Sequence, residues 1–212
     1  MKSYDYSRIR DYKTYNILFP VAKFVVRVAY KIKMVGKDNI PSEGGFILAC
    51  NHVTAFDPVI LATGKNRPFH FMSKYELFQK PFVGWFLTRL NAFPVIRGGS
   101  DKTSVNYAIR IVKEGGILGI FPEGTRSKSG KPMAPKAGVA LIAKAANADI
   151  LPVCIYSSDE SRLFTKLTVR FGKIIPYEEL GITDSGKSSE LKEASRLIMN
   201  RITELWEEGH AD

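Results

Sequence analysis

Gly45-Phe46-Ile47-Leu48-Ala49-Cys50-Asn51-His52-Val53-Thr54-Ala55-Phe56-Asp57-Pro58 joins an apolar run to a polar turn and a helix start. The unbroken run from Phe46 to Cys50 suits a strand covered on both faces, as in a parallel sheet. Asp57-Pro58 suits an N-cap followed by proline at the first helical position, so His52 falls on the turn between strand and helix. Turns at the carboxyl ends of strands are where open α/β sheets bind ligands, because backbone N–H groups and side chains there face a crevice. Five residues apart on such a turn, His52 and Asp57 can fold back on each other. Asp57 then accepts from Nδ1 and leaves Nε2 outward as a base. The same pair also fits a surface histidine beside an ordinary Asp-Pro cap.

Working outward, the chain alternates strand-like and helix-like segments. Lys33 to Ile40 reads as a short edge strand, Phe69 to Ser73 as a strand, and Ala92 to Gly99 as a strand ending in a glycine-rich turn with Arg97 at its lip. A helix capped by Ser100 or Asp101 runs to about Glu114, and Ile117 to Phe121 is another buried strand. The loop Pro122-Glu123-Gly124-Thr125-Arg126-Ser127 leaves it. An apolar helix over Gly138 to Asn147, strands over 150–156 and 166–172, and a last helix from Ser188 follow. The order predicts an α/β fold: a largely parallel mixed sheet flanked by helices. Glu76 to Leu90 is helical and apolar all round, which suits burial or the lining of an apolar ligand site.

A chain of 212 residues, 45% of them hydrophobic, can bury one sizeable core. The expected organisation is a basic amphipathic segment over 1–33 and a single domain over 34–212. Residues 1–37 carry nine Lys/Arg and two Asp, whereas residues 178–212 carry four Lys/Arg and nine Asp/Glu. The basic front and middle point to an anionic partner: membrane lipid, phosphate ester or nucleic acid. Met1 to Lys13 is polar and is expected to be poorly ordered. Tyr15 to Lys33 reads as a helix with Lys23, Arg27 and Lys31 on one side of a wide apolar face. The longest uncharged run here, Thr14 to Ala22, has nine residues, far short of the roughly 20 that a spanning helix needs. It suits a helix lying in the headgroup region, with a helix docked on the domain as the alternative. Cys50 and Cys154 sit in apolar runs and fit core positions, with Cys50, two residues from His52, as an alternative thiol nucleophile. His70 and His210 are isolated, so no metal site is expected.

Three strand-terminal turns thus carry complementary groups, and in a parallel sheet they share one rim. Guanidinium forks and exposed N–H groups suit a phosphate monoester, and a base without an adjacent serine suits activation of a hydroxyl belonging to the substrate. With these residues in view, the sequence resembles the lysophospholipid acyltransferase family, bacterial members acting on 1-acylglycerol 3-phosphate in particular. Asn51-His52-Val53-Thr54-Ala55-Phe56-Asp57 resembles the family's NHxxxxD block, and Phe93-Pro94-Val95-Ile96-Arg97 its second block. Phe121-Pro122-Glu123-Gly124-Thr125-Arg126-Ser127 is similar to its FPEGTRS block, and Ile150-Leu151-Pro152-Val153 to its fourth.

The resemblance implies that residues 34–212 form an acyltransferase domain and that His52, oriented by Asp57, deprotonates the sn-2 hydroxyl of lysophosphatidic acid. Arg97 and Arg126 would clamp the phosphate, Glu123, Gly124 and Thr125 would shape its pocket, and Asn51, Lys136 and Gly138 are further candidates. The co-substrate would be an acyl-CoA or acyl carrier protein thioester, with no bound cofactor. The setting would be the cytoplasmic face of the cell membrane, held peripherally or monotopically. Another acceptor, glycerol 3-phosphate or a different lysophospholipid, and a nucleic-acid-binding module are the alternative readings.

Overall fold

The computed structural model describes residues 4–7, 9, 15–65, 67–96, 101–158 and 164–211. In chain order the helices are α1 (Tyr15–Ala29), α2 (Asp57–Ala62), α3 (Tyr75–Phe78), α4 (Pro81–Arg89), α5 (Lys102–Lys113), α6 (Gly138–Ala146) and α7 (Ser188–Glu207). The strands are β1 (Lys31–Val35), β2 (Phe46–Cys50), β3 (Phe69–Lys74), β4 (Ala92–Val95), β5 (Ile117–Ile120), β6 (Ile150–Tyr156) and β7 (Lys166–Phe171). They form one seven-stranded sheet in the order β1-β7-β6-β2-β5-β3-β4. Only the β6–β7 pairing is antiparallel, so β2 through β6 run in one direction and β7 with β1 in the other.

Strand β2 lies at the centre, and all five of its residues are buried. Side-chain alternation sends Ile47 and Ala49 to one face, packed with Ile111 of α5, Ile142 of α6 and Ile198 of α7. Phe46, Leu48 and Cys50 go to the other face, packed with Val26 of α1 and Ile60 and Leu61 of α2. Each large apolar side chain withdrawn from water contributes about 1.5–3 kcal/mol, so this segment is anchored from both sides of the sheet. The carboxyl ends of β2, β4 and β5 consequently open on the same rim.

Three segments depart from the sequence expectation. The first helix ends at Ala29 rather than Lys33, and Lys31 to Val35 pairs with β7 at the sheet edge. Lys31 fits the four-residue spacing of Lys23 and Arg27, but Ile32 and Met34 alternate with Lys31, Lys33 and Val35, and that period of two prevails. The apolar stretch 76–90 is two helices broken before Pro81, and α4 buries only Gly84; it is no core helix. Finally, part of the polar N-terminus is docked rather than loose. Tyr4 and Tyr6 pack their rings on Tyr107, and the Tyr6 hydroxyl donates to the Pro94 carbonyl of edge strand β4 at 2.8 Å. Among the described residues, no helix is long and apolar enough to cross a membrane.

Candidate active site

The turn leaving β2 is built around a buried carboxylate. Asp57 is fully buried, and its Oδ2 takes the Nδ1–H of His52 at 2.7 Å and the amide N–H groups of Val53 and Thr54 at 2.7 and 2.9 Å. Its Oδ1 accepts from the Thr54 hydroxyl at 2.8 Å, and that hydroxyl in turn accepts from the Phe56 amide. Asp57 is therefore not the N-cap of α2; Phe56 holds that position and makes no side-chain cap bond. The carboxylate instead folds back onto His52, Val53 and Thr54, which fixes the loop that carries His52. With Nδ1 bound to Asp57, Nε2 is the ring nitrogen left to act as a base. Asn51 sits just before this loop and is buried. Its side chain bonds both the amide and the carbonyl of Ile155, so it ties the end of β2 to β6 and has a structural task.

The loop leaving β5 holds the histidine from the other side. Its Ser127 amide donates to the His52 carbonyl at 2.8 Å, and Glu123 Oε1 accepts from the His52 amide at 3.2 Å. Phe121 stacks on the His52 ring with centroids 4.0 Å apart. Backbone and ring of His52 are thus clamped by a segment 70 residues away in sequence. Glu123 is 3% exposed, and its Oε2 forms no hydrogen bond among the described residues, although the Met133 amide acts on the carboxyl from nearby. Burial is the main cause that raises its pKa to about 7; the charge of Asp57 adds to it and the His52 and Met133 amides oppose it. Glu123 lies against the backbone of the base, not at the rim.

The rim itself carries Thr125 and Arg126, both exposed. Gly124 adopts a left-handed φ of 72°, and a Cβ there would lie 3.0–3.1 Å from the Lys136 side chain. The glycine therefore makes the turn and leaves room for a lysine that lies across it. The Lys136 amide is pinned to the Pro122 carbonyl at 2.9 Å. Gly138 begins α6, is exposed, and has open space where a side chain would be. Arg97, with Gly98 and Gly99, lies outside the described residues. Nearby, the Asp101 carboxylate caps α5 through the Ser104 amide and also accepts from the Ile96 amide, so it ties the end of the β4 loop to the helix.

His52, Thr125 and Arg126 stand on the wall of a cleft of about 420 Å³ whose remaining lining is mostly apolar, from Phe19 of α1 to Leu77, Phe86 and Leu87 of α3 and α4. One cleft thus brings an imidazole and a guanidinium together with a hydrocarbon-like lining. Cys50 does not compete as nucleophile. Its thiol is fully buried, and burial, aided by the charge of Asp57, holds its pKa well above the ordinary thiol value. His70 is buried in β3, and His210 bonds Thr168 of β7 and Ser158, which follows β6. Thr54, Phe121 and Ser127 were not singled out in sequence. They lie inside the two motif blocks, but only the fold reveals what each one holds.

Comparison with known proteins agrees with this architecture. A family model described as Acyltransferase matches residues 31–156. The 1-acyl-sn-glycerol-3-phosphate acyltransferase of Bacillus subtilis is 31% identical over 185 residues, which cover 86% of this chain and 92% of that protein. The enzymes of the same name from Borreliella burgdorferi and Streptococcus pneumoniae are 34% and 37% identical, over 61% and 55% of this chain. The match spans about half of those two proteins, 52% and 44%. The fold is shared with the crystal structure of the 1-acyl-sn-glycerophosphate acyltransferase PlsC of Thermotoga maritima, with a TM-score of 0.69 and 24% identity over 94% of this chain and 83% of that one.

Proposed function

The chain belongs to the acyltransferase family, and from that premise we propose that it transfers a fatty acyl group from a thioester to the sn-2 hydroxyl of 1-acylglycerol 3-phosphate, giving phosphatidic acid. The observation that carries this reading is the His52–Asp57 pair on the wall of an apolar cleft that also holds Arg126. His52 Nε2 takes the proton of the sn-2 hydroxyl as the oxygen attacks the thioester carbonyl. The C–S bond then breaks, and the departing thiolate takes the proton back from the imidazolium. Asp57 fixes the tautomer of His52 and stabilises its cationic form, as in hydrolase triads, but the nucleophile belongs to the substrate.

The phosphate of the acceptor meets Arg126, supported by Lys136, since a guanidinium fork matches phosphate oxygens; Arg97 joins them by motif resemblance alone. Thr125 and the Gly124 backbone shape the same end. The acyl chains occupy the apolar remainder of the cleft. The thioester is carried by coenzyme A or by acyl carrier protein, and the basic middle of the chain suits the anionic phosphopantetheine-linked part of either. The acceptor is a membrane lipid, so the same reading places the protein on the cytoplasmic face of the cell membrane, where such thioesters are found. Exposed Ile17, Val21, Phe24 and Val28 on α1, together with Lys23 and Arg27, support a helix lying in the headgroup region.

The test is a donor-by-acceptor matrix on purified protein, with His52→Ala as the blank. The expected result is turnover of 1-acylglycerol 3-phosphate well above that of glycerol 3-phosphate and of unphosphorylated 1-acylglycerol. Equal turnover of the unphosphorylated acceptor would overturn the phosphate assignment, and activity in the blank would overturn the mechanism.

A further inference from the structure

Helix α4 has two adjacent faces with different surroundings. At about 100° per residue, Phe86, Leu87 and Leu90 form one stripe, and Phe82, Trp85 and Arg89 form the next. The first stripe lines the cleft. The second faces outward: Phe82 is 77% and Trp85 45% exposed, their rings are stacked 6.2 Å apart, and the Arg89 guanidinium lies 4.5 Å over the Trp85 ring. The rotation of the helix is fixed from behind, because Gly84 is buried against the end of α3, where a Cβ would come within 2.8 Å of the Phe78 carbonyl. The aromatic ridge is therefore held outward.

We propose that this ridge is a second lipid-contacting lip of the cleft, opposite α1, which docks into the interface of an anionic phospholipid bilayer. Single exposed apolar side chains are ordinary, but a stacked Phe–Trp pair flanked by cations is the composition of an interfacial anchor. Gln79 to Leu90 contains Lys80 and Arg89 and no acidic residue, so two copies meeting through this face would bring like charges together, whereas anionic headgroups would neutralise them. The cleft lies between α1 and α4, lined by Tyr15 and Phe19 from the first and Phe86 and Leu87 from the second. Both helices present apolar and basic residues outside it, and the proposal has one bilayer surface meet both. Exposed Leu77 also lines the cleft, and Phe56 does so from the α2 turn, giving an apolar border over which a lipid chain can pass from bilayer to site. This placement rests on the reading that the acceptor is taken from a bilayer, but its test needs no turnover.

The chain has two tryptophans, Trp85 and Trp206. Trp206→Phe leaves Trp85 as the reporter, and because the Trp206 indole N–H has no partner among the described residues, the change is mild. With phosphatidylglycerol vesicles carrying nitroxide-labelled acyl chains, the expected result is a blue shift and quenching of Trp85. In the otherwise native chain, Phe82→Ser with Trp85→Ser should weaken vesicle partitioning by about tenfold or more, with an unchanged melting temperature. It should also leave turnover of a short-chain acceptor below its micellar concentration unchanged. An unquenched Trp85 on a chain that still sediments with vesicles would overturn the proposal. So would a chain that does not bind vesicles, or a blue shift that grows with protein concentration without lipid, which would identify a second copy as the occupant. If the acyltransferase reading fails instead, the short-chain assay is silent even in the native chain while the quenching result stands.

Discussion

The His52 turn and the two helices that border the cleft solve opposite problems. Asp57 is fully buried and accepts from three backbone or side-chain donors besides the His52 ring, so the imidazole has few other places to go. On α1 and α4 large apolar side chains such as Phe24, Phe82 and Trp85 face outward. In the proposed reading the chemistry is held by the core, whereas capture of a lipid falls to surfaces whose cost of exposure would be recovered on contact with a bilayer. Substitutions in the turn should therefore act on kcat and those at the borders on the concentration of lipid surface required.

The contrast breaks most visibly at the turn. Under the proposed mechanism His52→Ala should lower kcat by about 10³-fold or more with a modest change in melting temperature, because the ring contacts Asp57 and Phe121 but Asp57 keeps its three other donors. Asp57→Asn should lower kcat by a similar factor and also destabilise by about 1–3 kcal/mol, since an amide NH₂ would face donors in a buried site. Steady-state kinetics beside thermal melts would separate the two. Arg126→Ala is expected to raise KM for the phosphorylated acceptor by about 10–100-fold, the worth of a charge-assisted contact, and to leave KM for the thioester nearly alone. An equal change in both would place Arg126 elsewhere in the reaction.

A smaller effect is expected at Glu123, and it depends on pH. Its folded pKa of about 7 lies above the ordinary 4.5, so the folded state binds its proton more tightly than the unfolded state. Stability is then lost as pH rises from about 4.5 to about 7, and the penalty is full above that window. Glu123→Gln keeps an acceptor for the His52 amide and removes the ionisation. Its melting temperature should match the native chain near pH 4.5 and exceed it by a few degrees at pH 8, as differential scanning fluorimetry would detect. No pH-dependent gap would mean that the carboxyl is not held as described. Smallest of all, Cys50→Ala should retain turnover within a few-fold and cost about 1 kcal/mol of stability from the lost packing; loss of activity with intact folding would revive the thiol.

The sheet and the His52–Asp57 contact were legible because their signals are local. An unbroken apolar run reads as a central strand, and the five-residue spacing of His52 and Asp57 lets their side chains meet whatever else the chain does. What could not be read is set by distant segments. Glu123 looks like a rim residue in sequence, but the β5 loop turns it against the His52 amide, and Asn51 looks like part of the motif but serves β6. Lys31 fits a helical series until Ile32 and Met34 find β7. Pro81 was in plain view, yet the apolar density of residues 76–90 suggested one continuous helix. The exposure of Phe82 and Trp85 is a property of how Gly84 seats against Phe78, which no pattern within the helix announces.

The unity of the His52–Asp57 pair is tested most directly by kcat for His52→Ala, Asp57→Asn and the double variant, each verified as folded by circular dichroism. If Asp57 acts only through the imidazole, the double variant should be within about threefold of His52→Ala alone, the non-additivity of groups that work as one unit. Multiplying losses, or a His52→Ala enzyme within tenfold of the native rate, would contradict a base oriented by its carboxylate.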